Sequence, residues 1–233
     1  MTLVFALGTG IFWTLAYVLL IRIGIREKTF GMPIVAFATN ISWEFCFAFV
    51  RPAAGVQHWI NVVWFVFDCA IGYTVLRYGA REFPYLDPRV FYAGFALLLA
   101  LAYIGMNGAS LQFDDGAGTI TAFGSNIAMS GLFLAMLAAR GGSRGQSVGI
   151  AAAKLLGTAC ASLAELSGKH PEARYHSSFA YYLYVTCLVL DLAYLGALIL
   201  VRRHEKALAG EQGRGQVTQP AHGHLAQRLE AAS

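Results

Sequence analysis

Long apolar segments separated by short polar connections fill most of this chain, from its first residues to about residue 201. A segment can cross a membrane as a helix when it spans about 30 Å at about 1.5 Å per residue. This criterion predicts seven transmembrane helices, over residues 3–23, 32–50, 59–78, 90–106, 119–139, 148–166 and 178–201. Because the connections are short, consecutive helices should be antiparallel neighbours. The expected fold is an all-α membrane protein, a compact bundle of seven helices.

The composition agrees with this pattern. Of the 233 residues, 57% are hydrophobic and 13% are charged, which excludes an ordinary soluble domain. The first segment has no basic start and no small-residue cleavage site after it, so we expect a retained helix and not a signal peptide. We expect a multi-pass protein in contact with the lipid bilayer, located in the cell membrane if the source is bacterial and in the endoplasmic reticulum if it is fungal. No feature suggests nucleic acid as a partner.

The basic residues set the expected orientation. Most of the 17 Lys and Arg residues lie in connections on one side of the bundle, whereas Arg51, Lys169 and Arg174 lie on the other. Because basic connections tend to stay in the cytoplasm, we expect the N-terminus outside and the C-terminus inside. Residues 1–205 should form the membrane domain. Residues 206–233, rich in Ala, Gly, Gln and His, should form a disordered cytoplasmic tail.

The sixth segment carries two features of its own. Small residues recur at every fourth position, at Gly149, Ala153, Gly157 and Ala161, a pattern typical of close helix packing. Lys154 lies beside this stripe near the cytoplasmic end of the segment. We expect its side chain to extend to the membrane surface.

Three carboxyl groups stand inside apolar segments. Glu44 is the only charged residue between positions 32 and 49, and Asp68 and Asp191 lie within the third and seventh segments. Ionisable side chains at this depth are costly and usually functional, so we predict that all three are catalytic and converge on one chamber. Asp68 has the weaker case, because it could instead orient a neighbouring helix. Glu165, at the end of the sixth segment, is interpreted as an interfacial charge.

Aromatic and polar side chains accompany these acids at helical spacing or on an adjacent segment. They could line the same chamber and contact a substrate. The predicted substrate-binding residues are Asn40, Trp43, Trp64, Asn126, Ser130, Tyr184 and Tyr194. For Asn126 and Ser130, one turn apart on the fifth segment, a polar contact between helices is an equally good interpretation.

This combination of acids and aromatic rings favours one kind of chemistry. A carboxyl group in a water-poor site, close to a second carboxyl, tends to keep its proton. A neutral carboxylic acid is a competent general acid, and aromatic faces stabilise a positive charge that forms after proton transfer. We therefore expect carbocation chemistry on a lipophilic substrate. The pair Asp114 and Asp115 is interpreted as a solvated turn, and no metal or cofactor is expected.

Three short motifs occur in order along the chain: Asn-x-x-Trp-Glu at residues 40–44, Trp-x-x-x-Asp at 64–68 and Leu-Asp-x-x-Tyr at 190–194. Together they resemble the small seven-helix membrane terpene cyclases of fungal meroterpenoid and indole-diterpene pathways and their bacterial relatives. The resemblance implies metal-free cyclisation of a prenyl chain on an aromatic or indole group, begun by protonating an epoxide or a terminal alkene. By position, Glu44 and Asp191 match the two acids regarded as essential in that family.

The roles of the two acids follow from this resemblance. Glu44 is the expected proton donor, and Asp191 is its partner, an alternative donor or the group that organises the epoxide. A proton-coupled transporter or channel is the competing interpretation, because it too needs membrane carboxyls that change protonation. A retinal-binding receptor is disfavoured, because the last segment contains no lysine between Ser178 and Val201.

Overall fold

The computed structural model describes residues 1–113 and 116–217, with side chains as far as residue 210. Within these ranges the chain is helical and contains no strand. The long helices are α1 (Thr2–Glu27), α2 (Ile34–Phe45), α3 (Val56–Tyr78), α4 (Pro88–Gln112), α5 (Thr119–Arg140), α6 (Val148–Leu166) and α7 (Ser178–Val217). A π-helical turn (Cys46–Val50) continues α2, and 3₁₀ turns follow α3 (Gly79–Glu82) and precede α7 (Ala173–His176).

The predicted bundle of seven membrane helices is confirmed. Within the described residues, six helices are long and apolar enough to cross a membrane, and Ile34–Val50 forms a shorter apolar helix. Helices satisfy their backbone hydrogen bonds internally, which a segment inside hydrocarbon requires. The side of the membrane on which each terminus lies stays a prediction.

Helix α7 continues past the predicted end at residue 201, as far as Val217. Its extension is held at Glu205, whose carboxylate oxygens accept hydrogen bonds from the backbone N–H and the hydroxyl of Ser143, both at 2.7 Å. Residues 206–217, which were expected to begin a disordered tail, are therefore helical. The rest of that tail, residues 218–233, lies outside the described residues, as does the pair at positions 114 and 115.

Local chemistry sets several helix ends. The Asp87 carboxylate accepts a hydrogen bond from the backbone N–H of Arg89 at 2.7 Å, ahead of Pro88 in the first turn of α4. The Ser147 hydroxyl caps α6 in the same way, at 3.1 Å from the Ile150 N–H. Both are residue types that satisfy the free N–H groups at a helix start.

Helices α1 and α6 pack closely and run antiparallel. The Thr2 hydroxyl donates to the carbonyl of Ser167 at 2.9 Å, so the start of α1 meets the end of α6. Further along, a Cβ atom placed on Gly157 would lie 2.7 Å from Cδ1 of Trp13. A Cβ atom on Gly149 would lie 3.3 Å from Leu19. The small-residue stripe of α6 thus serves the close packing that its spacing predicted.

Candidate active site

A cavity opens among helices α1, α2, α3, α5 and α6, and the space between its wall atoms is about 850 Å³ when the adjoining open solvent is included. Its wall includes three indole rings, those of Trp13, Trp43 and Trp64, together with Phe123 and Met129. Polar side chains, among them Asn40 and Glu44, also line the wall. A small-molecule site usually combines such polar groups with apolar and aromatic surface, and the aromatic part of this wall suits a hydrocarbon substrate.

Glu44 reaches this cavity from the last turn of α2. Its side chain is buried, with 2% of the residue exposed, and lines the cavity wall. The Tyr17 hydroxyl lies 3.4 Å from Oε1 and donates to it. The other oxygen, Oε2, has no hydrogen-bond partner among the described residues. The α-helix gives way to the π-helical turn two residues later, a feature often found beside functional residues.

Asp68 lies behind Glu44 and not in the cavity wall. The Asn40 amide nitrogen donates to the Tyr17 oxygen at 2.6 Å and to Asp68 Oδ2 at 2.8 Å. Tyr17, Asn40, Glu44 and Asp68 therefore form one hydrogen-bonded group, which we call the acid cluster. Two buried carboxyls in one such group disfavour a double negative charge. Glu44 and Asp68 are thus linked through Tyr17 and Asn40, but of these two acids only Glu44 lines the cavity.

Asp191 belongs to a different group. Lys154 Nζ lies 2.5 Å from Asp191 Oδ1 and 2.6 Å from the Ser130 hydroxyl oxygen, and Ser130 in turn donates to Asp191 at 2.7 Å. We call Ser130, Lys154 and Asp191 the ion-pair cluster. It lies outside the cavity wall. The three carboxyls therefore do not share one chamber, because Asp191 is paired with Lys154 of α6 outside the cavity wall.

The expectation that Lys154 extends to the membrane surface is wrong. Only 1% of this residue is exposed. Its ammonium lies 5.7 Å from the ring of Trp13, which lines the cavity. A buried charge needs a partner, and the partner on α7 holds the lysine inside the bundle. Trp13 thus stands between the ion-pair cluster and the cavity.

Two predicted indoles are fixed at the cavity wall by their ring N–H groups. Trp43 donates to the carbonyl of Gly118 at 3.0 Å and to the Thr121 hydroxyl at 3.1 Å. Trp64 donates to the hydroxyl of Thr14 at 3.1 Å. These bonds hold the rings in place and leave ring surface for the cavity. Both side chains therefore lie in the cavity wall, and their contact with substrate stays a prediction.

Of the remaining predicted substrate-binding residues, some line the cavity and others do not. Asn126 lines the cavity and donates to the Thr158 hydroxyl at 2.9 Å. Tyr184 and Tyr194 lie outside the cavity wall: Tyr184 packs on Phe123, with ring centroids 4.5 Å apart, and Tyr194 is buried in the main core. Ser130, as described, belongs to the ion-pair cluster. The interpretation of Ser130 and Asn126 as polar contacts between helices fits both of these bonds.

Comparison with known proteins decides what kind of molecule this is. The sequence pattern of one family, described as Pyr4-like transmembrane terpene cyclases, matches residues 1–204. The chain belongs to this family. The resemblance inferred from its three short motifs is therefore confirmed.

Individual relatives agree with this assignment. A Pyr4-family terpene cyclase (mfmH) of Annulohypoxylon moriforme is 31% identical over 196 residues, which cover 80% of each chain. Terpene cyclase dpasB of Apiospora sacchari is 29% identical over 217 residues, 88% of this chain and 86% of the relative. Asnovolin H synthase nvfL of Aspergillus novofumigatus is 26% identical over 158 residues, 64% of this chain and 63% of the relative. No solved structure shows a significant match to the chain.

Sequence reasoning missed two residues of this transmembrane terpene cyclase on α1. Trp13 and Tyr17 both line the cavity, one turn apart, and Tyr17 links Glu44 to Asn40. Helix α1 contains no buried acid, and buried acids were the signal from which the site was predicted. The signal was present as an aromatic pair at four-residue spacing, which places both rings on one helix face.

Glu165 also differs from its expected role. It was interpreted as an interfacial charge, but only 2% of the residue is exposed and it lines the cavity of the cyclase. The Thr119 hydroxyl lies 3.4 Å from Oε1, and His170 Nδ1 lies 3.0 Å from Oε2. A carboxyl at the end of a helix is buried here because the connection to α7 folds over it.

Proposed function

We propose that this transmembrane terpene cyclase protonates an epoxide or terminal alkene on a prenylated aromatic or indole substrate of the meroterpenoid type. The resulting carbocation then closes rings inside the cavity. One observation carries the proposal: the Glu44 carboxyl lies at an aromatic, mostly apolar cavity wall with one oxygen unpaired among the described residues.

Glu44 has the surroundings of a general acid. Its Oε1 accepts from Tyr17, so the proton to be transferred is assigned to the unpaired Oε2. Transfer breaks the O–H bond of Glu44 and forms an O–H bond on the epoxide, or a C–H bond on the alkene. The positive charge moves to the substrate, and Glu44 is left as a carboxylate. The Tyr17 hydroxyl then stabilises that carboxylate, since hydrogen bonds to charged groups are the stronger ones.

Asp68 and Asn40 support this acid from behind. Asn40 donates to both Tyr17 and Asp68, which fixes the direction of the Tyr17 hydroxyl. A group held in this way needs no rearrangement as charge develops, and that preorganisation lowers the barrier. In this proposal Asp68 positions Glu44 and does not touch the substrate.

The indole rings would stabilise the carbocation. Trp13, Trp43 and Trp64 line the same cavity as Glu44, and the face of an indole is the aromatic surface that attracts cations best. Exclusion of water by this wall keeps the cation from being captured early. Loss of a proton after ring closure would give a cyclic product with the mass of the substrate.

The geometry supports Glu44 over Asp191 as the donor. Asp191 is paired with Lys154 at 2.5 Å, away from the cavity wall. A carboxylate that balances a buried ammonium is poorly placed to give up a proton to the substrate. We assign to Asp191 the role of partner. It holds Lys154 in place by the ion pair, and Lys154 in turn supports Trp13 in the cavity wall. Membership of a cyclase family also favours this function over proton-coupled transport.

The test is product analysis with matched variants. Membranes containing the full-length protein are incubated with farnesylated and geranylgeranylated aromatic acceptors, with and without a terminal epoxide, and analysed by chromatography with mass detection. We expect a new product of unchanged mass from the wild type and from the surface control Glu172→Gln, and none from Glu44→Gln. Product formation by Glu44→Gln at the wild-type level, or no consumption of any substrate by the wild type, would overturn the proposal.

A further inference from the structure

The cavity has a second polar end, formed by Thr119, Glu165 and Lys169, which we call the mouth cluster. All three residues line the same cavity as Glu44. Lys169 Nζ lies 3.7 Å from Glu165 Oε1, and the Thr119 hydroxyl lies 3.4 Å from that same oxygen. The Lys169 side chain is 33% exposed and that of Glu165 is 3% exposed. The cavity therefore reaches the surface at a lysine that is anchored by a buried carboxyl.

The mouth cluster and Tyr17 of the acid cluster lie at different levels along α1. Helices α1 and α6 are antiparallel, with Thr2 bonded to Ser167, so Glu165 lies near the start of α1. Thr9 lines the cavity toward that end, and Tyr17 lines it two turns further along α1. At about 1.5 Å per residue, Thr9 and Tyr17 are about 12 Å apart along the axis of α1. The cavity wall includes apolar side chains, such as Trp13, and polar ones, such as Asn126.

This arrangement fits a ligand whose two ends differ in chemistry. Its reactive end lies at Glu44, and its hydrocarbon part can pack on the indole rings and Met129 of the wall. Its other end meets an ammonium that donates hydrogen bonds and a carboxylate that accepts them.

We propose that the mouth cluster binds the oxygen-bearing ring of the substrate, while the reactive end of the prenyl chain lies at Glu44. A ring hydroxyl donates to Glu165, and a ring carbonyl or phenolate oxygen accepts from Lys169. This inference rests on the proposed cyclase function and adds the class of head group and the direction in which the substrate enters. It assigns Lys169 and Glu165 to substrate specificity and gives them no part in proton transfer.

A purely structural role for the cluster predicts a different outcome. Glu165 also contacts His170 at 3.0 Å, which fastens the connection between α6 and α7. If the cluster only stabilised this connection, changes in it would weaken the binding of every ligand to the same extent. Lys169→Met is the informative variant, because it removes the ammonium and leaves the contact between Glu165 and His170.

The test measures binding without turnover. The full-length protein carrying Glu44→Gln is purified in detergent, and quenching of its tryptophan fluorescence is titrated with farnesyl-dihydroxybenzene and with farnesylbenzene, which has the same chain and no ring oxygen. We expect Lys169→Met to weaken binding of the dihydroxybenzene about tenfold, or about 1.4 kcal/mol. Binding of farnesylbenzene should change less than twofold. Lys169→Arg should restore most of the lost affinity, and Lys206→Met, an exposed change on α7, should have no effect.

Equal weakening of both ligands, or no weakening of either, would overturn the assignment of the mouth cluster. This result is separate from the fate of the proposed function, because the binding measurement does not need catalysis. If binding is selective but Glu44→Gln still cyclises substrate, the proton donor is wrong and the head-group site stands. If the wild type cyclises substrate but binding is not selective, only the head-group site fails.

Discussion

Replacing Lys154 by methionine tests the ion-pair cluster. The ammonium lies 2.5 Å from Asp191 and 2.6 Å from the Ser130 hydroxyl oxygen. The side chains of Lys154 and Asp191 are only 2% and 1% exposed. Methionine keeps the length of the side chain but not its charge. The variant therefore leaves the Asp191 carboxylate buried without a countercharge.

The expected cost is large because neither group can reach water. Breaking a buried pair from one side typically costs about 3–5 kcal/mol of unfolding free energy, whereas replacing both partners with apolar residues is often close to neutral. We expect Lys154→Met and Asp191→Leu each to lose about that amount. The double variant should lose much less than the sum. The coupling energy between the two changes should be at least about 2 kcal/mol.

The assay is reversible unfolding of the purified protein in mixed detergent micelles, followed by circular dichroism for the wild type, both single variants and the double variant. Lys206→Met serves as a control, since it removes an exposed lysine and should change the free energy by less than about 0.5 kcal/mol. Additive effects of the two single changes, with a coupling energy below about 0.5 kcal/mol, would refute the buried ion pair.

Two further changes test the cavity wall. Tyr17→Phe removes the hydroxyl that lies 3.4 Å from Glu44; cyclisation should slow about tenfold, because a hydrogen bond to a charged group contributes about 1.5 kcal/mol. Tyr73→Phe, on an exposed ring, should leave the rate unchanged, and equal rates for the two variants would contradict the role of Tyr17. Gly157→Ala places a Cβ atom 2.7 Å from the opposing indole and should cost about 1–3 kcal/mol in the same unfolding assay. Gly10→Ala, which meets nothing within 4 Å, should be nearly neutral, and similar costs for both glycines would argue against close packing of α1 on α6.

The membrane helices were predictable from hydrophobicity, because any chain segment in hydrocarbon must satisfy its backbone groups within itself. The helix ends were less predictable. Hydropathy marks where a segment leaves the membrane, but a helix can continue in water when polar contacts hold it. Helix α7 does so as far as Val217, with Glu205 bonded to Ser143. That contact joins positions far apart in the chain and has no local signal.

The site was predictable where its residues lie at helical spacing on a single helix. Asn40 and Glu44 lie one turn apart on α2, and both belong to the acid cluster, as their spacing indicated. Lys154 and Glu165 were interpreted wrongly, because each is defined by its partners on other elements. No spacing within α6 shows that an aspartate on α7 meets Lys154, or that a threonine on α5 meets Glu165.

The assignment of Glu44 as the proton donor is tested most directly by the initial rate of cyclisation by purified Glu44→Gln and Glu44→Asp, compared with the wild type on one substrate that the wild type converts. Glutamine keeps the shape of the side chain and an oxygen that can accept from Tyr17, but it has no carboxylic acid proton to give. We expect no product above background from Glu44→Gln and a reduced but measurable rate from Glu44→Asp. A rate for Glu44→Gln within tenfold of the wild type would contradict the assignment of Glu44 as the proton donor.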